Sequence, residues 1–129
     1  MDTSIKIIGT IHSPLKKLED CPRQENEQAP PATIIIDPTF IQGIKDIKAG
    51  SEILLFTWLH KADRKVIQTK PRNDPDAPDT GVFSTRSPDR PNPIGMHKVK
   101  VMAVENNIIK LVALEALDQT PVIDIKPIW

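Results

Sequence analysis

Short apolar runs rich in β-branched residues recur along the chain, and polar or proline-rich stretches separate them. The runs are Ile5–Ile11 (IKIIGTI), Thr33–Ile36 (TIII), Glu52–His60 (EILLFTWLH), Lys65–Thr69 (KVIQT), Gly81–Thr85 (GVFST), Lys98–Val104 (KVKVMAV), Ile108–Leu114 (IIKLVAL) and Pro121–Ile125 (PVIDI). Runs this short, bounded by turn-forming residues, predict β-strands. Glu52–His60 is apolar almost without interruption, which predicts a strand buried on both faces. Lys65–Thr69 follows it after the charged turn KADR and reads as its hairpin partner. Asn106 and Asn107 separate two later strands, and asparagine tolerates the positive φ of a tight hairpin.

One segment has a helical period instead. In DPTFIQGIKDIKAG, Asp37 is placed to cap, Pro38 suits the first helical position, and Gly50 lies past the end. Phe40, Ile41, Ile44 and Ile47 then share a face. Seven or eight short strands with frequent turns and one short helix predict a mainly β, single-domain small barrel. The stretches Ser13–Pro31 and Lys70–Thr80 carry no regular pattern. Loops of that length in a small domain usually serve function.

Composition narrows the classes. With 129 residues, one domain with a modest core is expected. The single cysteine, Cys21, excludes an internal disulfide and reads as a bystander. No apolar run approaches membrane-spanning length, and the start MDTSIKIIGTIHSP lacks the pattern of a signal peptide. A cytoplasmic protein without membrane or metal partners is expected. Lys plus Arg balances Asp plus Glu at 17 each, which argues against a strongly basic nucleic-acid binder. The balance is uneven, however. Between His60 and Lys100, nine basic residues face five acidic ones, so a modest basic face is expected. Neither GxGxxG, nor a P-loop, nor HExxH, nor GxSxG is present.

The most constrained stretch is Gly81–Gly95, GVFSTRSPDRPNPIG. Ser87, Arg90 and Asn92 each precede a proline and are pushed toward extended backbone, while Pro88, Pro91 and Pro93 fix their own φ. A backbone with so few accessible states holds Arg86 and Arg90 ready for a ligand and lowers the entropic cost of binding. The plainer alternative is a rigid plug at one end of the sheet, with both arginines in salt bridges.

This stretch resembles the signature of the TrmO family, also called YaeB, VirR or TsaA-like. IGTIHSP (Ile8–Pro14), PRQ (Pro22–Gln24), the strand ending at His60, and DQTPVIDIKP (Asp118–Pro127) match in the family's order, so the resemblance covers nearly the whole chain. It implies a small β-barrel that binds S-adenosylmethionine, forms a homodimer with the cofactor near the interface, and N6-methylates threonylcarbamoyladenosine (t6A) beside the tRNA anticodon. It implies cofactor contacts at Pro22, Arg23, Gln24, His60, Lys61, Arg86, Met96, Glu115, Ala116, Leu117 and Asp118. Arg86 is the first choice for the cofactor carboxylate, since a guanidinium binds it bidentately, and Arg23 is the second. Asp118 is a candidate to assist loss of the acceptor proton, and Arg90 or Arg72 to clamp the threonylcarbamoyl carboxylate.

Plainer readings stand beside these: a structural His60, a core Met96, a solvated Lys61, and Asp118 as a turn former. The chain also departs from the family's pattern. Gln119 stands where the family usually has glycine, Glu52 where a histidine is common, and the chain ends at Trp129 without the C-terminal domain of longer members. Three functions are therefore carried forward. The first is a tRNA methyltransferase. The second is a cofactor-binding module or small-molecule methyltransferase. The third is a partner-binding β-domain using the apolar tail Pro121–Trp129.

Overall fold

The computed structural model describes residues 1–17, 29–71 and 74–129. Among them are eight strands: β1 (Gly9–His12), β2 (Ala32–Ile36), β3 (Glu52–Trp58), β4 (Gln68–Thr69), β5 (Thr80–Gly81), β6 (Ile94–Glu105), β7 (Ile108–Leu111) and β8 (Pro121–Pro127). Six of them form one antiparallel sheet that closes on itself in the order β1-β2-β7-β6-β3-β8. β4 and β5 make a separate two-stranded ribbon.

Alternation along the strands explains the closure. In β6, Gly95, His97, Val99 and Val101 are buried while Ile94, Met96, Lys98 and Lys100 face out. Ile11, Ile34, Ile36, Leu55, Ile109, Leu111, Leu114 and Val122 join Val99 and Val101 in one core. Burying each such side chain contributes roughly 1.5–3 kcal/mol. Among the described residues the interior also holds polar groups: Ser13, Thr57, His97 and Thr120. Thr57 and His97 are both buried, and Thr57 Oγ1 lies 2.9 Å from His97 Nε2.

Several expectations need correction. Lys65–Thr69 is not the hairpin partner of β3, because β6 and β8 already occupy both edges of that strand. It shortens to β4, which pairs with β5. β3 is buried on one face only, and Leu54, Phe56 and Trp58 on the other face are half-buried. Gly81–Thr85 does not extend as a strand. It curls into a 3-10 turn at Val82–Ser84, for reasons given below. The expected helix is a 3-10 helix over Pro38–Ile44. Asp37 caps it as predicted, accepting the Thr39 amide at 2.9 Å. Ile44 is buried and Phe40 and Ile47 pack against the core, whereas Ile41 stays exposed. The β6–β7 hairpin turns through Asn106 at φ 54, in the left-handed region expected of asparagine there.

Strand direction places six strand ends on one rim. β1, β3 and β7 finish there, and β2, β6 and β8 begin there. Thr57 marks its centre, opposite Gly95 on one side and Val122 on the other. Gly95 has no room for a side chain: an added Cβ would lie 2.5 Å from Thr57 Oγ1 and 2.9 Å from His97 Nε2. Gly43, in contrast, has nothing within 4 Å of that position. Gly95→Ala is therefore expected to cost about 2–3 kcal/mol, lowering the melting temperature by about 5–10 °C. Gly43→Ala should be neutral or slightly stabilising, by up to about 1 kcal/mol. Calorimetric melts of the two variants side by side check both; equal melting points would refute the steric argument.

Candidate functional site

The rim gathers most of the residues singled out from the sequence. The chain leaves β3 at Trp58 and runs through His60 and Lys61 into an excursion that returns at Ile94. Its base is stitched shut. The Leu59 amide donates to Pro93 O at 2.8 Å, and the Asp63 amide to Asp89 Oδ1 at 2.8 Å. Arg64 donates through Nε to Pro91 O at 2.7 Å and lies over the Trp58 ring, 5.0 Å from its centroid. Sequence reasoning missed Arg64. Its signal is three-dimensional, because the partners lie far away along the chain.

The two arginines of the proline loop have different roles. Arg90 turns back on its own loop: Nε donates to Ser87 O at 2.8 Å, and Nη2 to Val82 O at 2.8 Å and to Thr85 O. Collecting the Val82 and Thr85 carbonyls around one guanidinium curls this segment out of the extended form. This geometry does not fit Arg90 as a free clamp for a substrate carboxylate. Arg86 is exposed and makes no hydrogen bond or ion pair among the described residues. Prolines restrict the loop, and Arg90 closes it, while Arg86 keeps no partner among the described residues.

The segment 115–118 reaches the same rim ahead of β8. Ala116 is buried; Glu115 and Leu117 are half-buried. The Asp118 amide donates to Leu15 O at 2.7 Å. Its carboxylate accepts the Ser13 amide at 2.9 Å and pairs with Lys16 at 2.9 Å. The Lys16 contact, followed by the Ser13 amide, holds the Asp118 carboxyl down to about 2. Such a carboxylate is a weak base at neutral pH, so the geometry supports a holding role rather than proton abstraction. Gln119 next to it adopts φ 71, so the turn keeps the left-handed backbone without glycine.

His60 and Lys61 are both exposed at the exit of β3. Burial, and then the Lys61 charge, push the His60 imidazole below its ordinary value, which favours the neutral ring. Met96 is the outlier. It points away from the interior on the outer face of β6, opposite Phe56 and 47% exposed, so it is not a core residue. Pro22, Arg23, Gln24, Cys21 and Arg72 lie outside the described residues. The described residues form surface recesses. One, about 290 Å³, is lined by residues including His12, Pro31 and Met102. Another, about 570 Å³, lies over Ile5, Phe40, Phe56, Ile94 and Ile123. Neither contains Arg86, His60 or Asp118. Among the described residues no His, Cys, Asp and Glu cluster is placed to hold a metal, and no helix is long and apolar enough to cross a membrane.

With the rim in view, the comparisons are decisive. The family model described as tRNA-methyltransferase O N-terminal domain matches residues 10–129. The chain belongs to that family. A protein of Archaeoglobus fulgidus named Probable S-adenosyl-L-methionine-binding protein is 38% identical over 127 residues, covering 98% of this chain and 34% of its own length. Probable S-adenosyl-L-methionine-binding protein VirR of Rhizobium radiobacter is 39% identical over 126 residues, covering 98% of this chain and 71% of its own. The crystal structure of TrmO from Pseudomonas aeruginosa superposes with a TM-score of 0.80 at 30% identity, over all of this chain and 57% of that one. The chain thus spans about a third of the first relative and little more than half of the crystallised protein. The matched span includes the proline loop, whose Arg86 makes no ion pair among the described residues.

The Asp118 tether has a consequence for pH. Its folded value of about 2 lies below the ordinary 3.8, so the group stabilises the fold above pH 4, and that contribution is lost as pH falls toward 2. Asp118→Asn should flatten this acid limb in denaturant titrations between pH 6 and 2. An unchanged limb would show that the tether contributes nothing. Because Lys16 is largely exposed, added salt should shrink the difference between the two proteins.

Proposed function

We propose that the chain is an S-adenosyl-L-methionine-dependent tRNA methyltransferase and that its acceptor is N6 of t6A beside the anticodon. Arg86 carries this reading: an unpaired guanidinium on a loop locked by Arg90, in a chain of a family described by tRNA methylation. The residues present fit the cofactor. Arg86 offers a planar fork to its carboxylate. The neutral His60 ring adds no repulsion against a sulfonium. Asp118, ionised and tied to Ser13 and Lys16, holds segment 13–16 against segment 115–118. The bound cofactor would supply an electrophilic methyl group. The chain's own work is positioning, which governs the rate of an in-line displacement. The acceptor proton would pass to solvent, since Asp118 is too weak a base to hold it.

The same reading makes the site incomplete in one copy. Ile94 and Met96 are exposed apolar residues near the start of β6, and Ile94, Phe56 and Ile123 line the larger recess. We propose that a second copy covers this face and closes the rim, forming a homodimer. Light scattering at micromolar concentration should give twice the chain mass, and a monomer that still binds cofactor would refute this part.

A second reading, a cofactor-binding module without a tRNA substrate, has one observation in its favour. Part of the basic excess is already spent, with Lys70 on Asp79 and Lys98 on Glu52. Mass spectrometry decides between them. The chain is incubated with the cofactor and with tRNA that carries or lacks the threonylcarbamoyl group. A methyl gain on the modified nucleoside alone is expected. Calorimetric heat with the cofactor but no gain on either tRNA would establish the binding module instead. Arg86→Ala should weaken cofactor binding by about 2–4 kcal/mol, or roughly 30- to 1,000-fold. Arg86→Lys should recover only part of it, because an ammonium lacks the fork. Normal binding by the Ala variant would move the carboxylate partner elsewhere.

A further inference from the structure

The curl that Arg90 imposes on the proline loop also displays a side chain the mechanism above leaves unused. Phe83 is 82% exposed, in the middle of the turn Val82–Ser84. Its neighbours are fixed. Val82 is buried, its amide donates to Ile67 O at 3.0 Å, and its carbonyl accepts from Thr85 Oγ1 and Arg90 Nη2. The Thr85 carbonyl is held by the same guanidinium. The backbone on either side of Phe83 is therefore held while its ring stays exposed. Ile67, opposite the turn, is 69% exposed as well.

We propose that Phe83 is a stacking platform for an unpaired nucleobase of an RNA loop, next to the base that receives the methyl group. This rests on the tRNA reading above and extends it to a substrate contact. An aromatic face with a nearby cation is the usual means of holding single-stranded nucleic acid: the ring stacks on the base and the cation meets phosphate. Both parts are present. Lys65, two residues before Ile67, is exposed and without an ion pair among the described residues, while Arg86, three beyond Phe83, is left to the cofactor. Segment 80–88 carries no acidic residue, and of the two that flank it Asp79 pairs with Lys70 and Asp89 accepts the Asp63 amide. A cation beside an exposed ring suits an anionic, flat-faced ligand better than a purely apolar one. The rigid turn removes the ordering cost that a mobile phenylalanine would carry on binding.

The test uses the full chain with Phe83→Ala, Phe83→Leu and Phe83→Trp. tRNA binding is followed by fluorescence anisotropy at several salt concentrations, cofactor binding by calorimetry, and mass by light scattering. Phe83→Ala should weaken tRNA binding about 5- to 150-fold at every salt concentration, with the salt slope unchanged because no charge is removed. Phe83→Leu should fall with it and Phe83→Trp should bind at least as tightly as the wild type. Cofactor affinity and mass should not change. Full binding by the Leu variant would overturn stacking, and a change in mass would assign Phe83 to contact between copies. Wild-type binding of tRNA with no loss in the Ala variant defeats this proposal alone. No tRNA binding by the wild type defeats the substrate reading and this proposal together.

Discussion

Both edges of β3 are occupied, and the rest of the molecule follows from that. β6 pairs along one edge and β8 along the other, which closes the sheet and leaves no open edge beside β3. Closure fixes where each connection can go. β3 and β6 are antiparallel neighbours paired at Trp58 and Ile94, so the excursion is the long loop of a single hairpin, and it lies outside the closed sheet. The junction tolerates little: Thr57, Gly95 and His97 meet in a space with no room for one more carbon.

The excursion is held by a few side chains reaching backbone carbonyls. Arg64 reaches Pro91, and Arg90 reaches Val82, Thr85 and Ser87. Prolines supply part of the reason. They narrow the backbone and remove amides, leaving carbonyls that need donors from elsewhere. Guanidinium groups suit this need, since one planar fork serves several acceptors. Among the described residues Arg86 has no such internal acceptor, and that difference separates a loop that merely holds its shape from one with a charge left for a ligand.

Much of this was legible along the chain. Strand positions followed from apolar runs, the Asn106 turn from its side chain, and the Asp37 cap from its neighbours, because each rests on contacts a few residues apart. Misreadings arose where distant residues decide. Lys65–Thr69 has the composition of a hairpin partner, but β8, more than fifty residues later, takes the edge of β3 it would need. Gly81–Thr85 has the composition of a strand, but Arg90 curls it. The sequence offered Arg86 for the cofactor and Arg90 for the substrate, and the contacts of Arg90 with its own loop depend on a fold that the sequence does not display. Asp118 read equally well as an acid–base group or a turn former until Lys16 and the Ser13 amide were seen on its carboxylate.

The Arg64–Trp58 contact gives the protein an optical handle. Of its two tryptophans, Trp129 is fully in water, so its emission is an almost constant background. Trp58 stands half-buried where the excursion leaves the sheet, with a guanidinium lying on its ring. Any movement that lifts Arg64 from Pro91 also lifts a positive charge from the indole and changes its emission. Intrinsic fluorescence thus reports on the proline loop through Trp58, without a label.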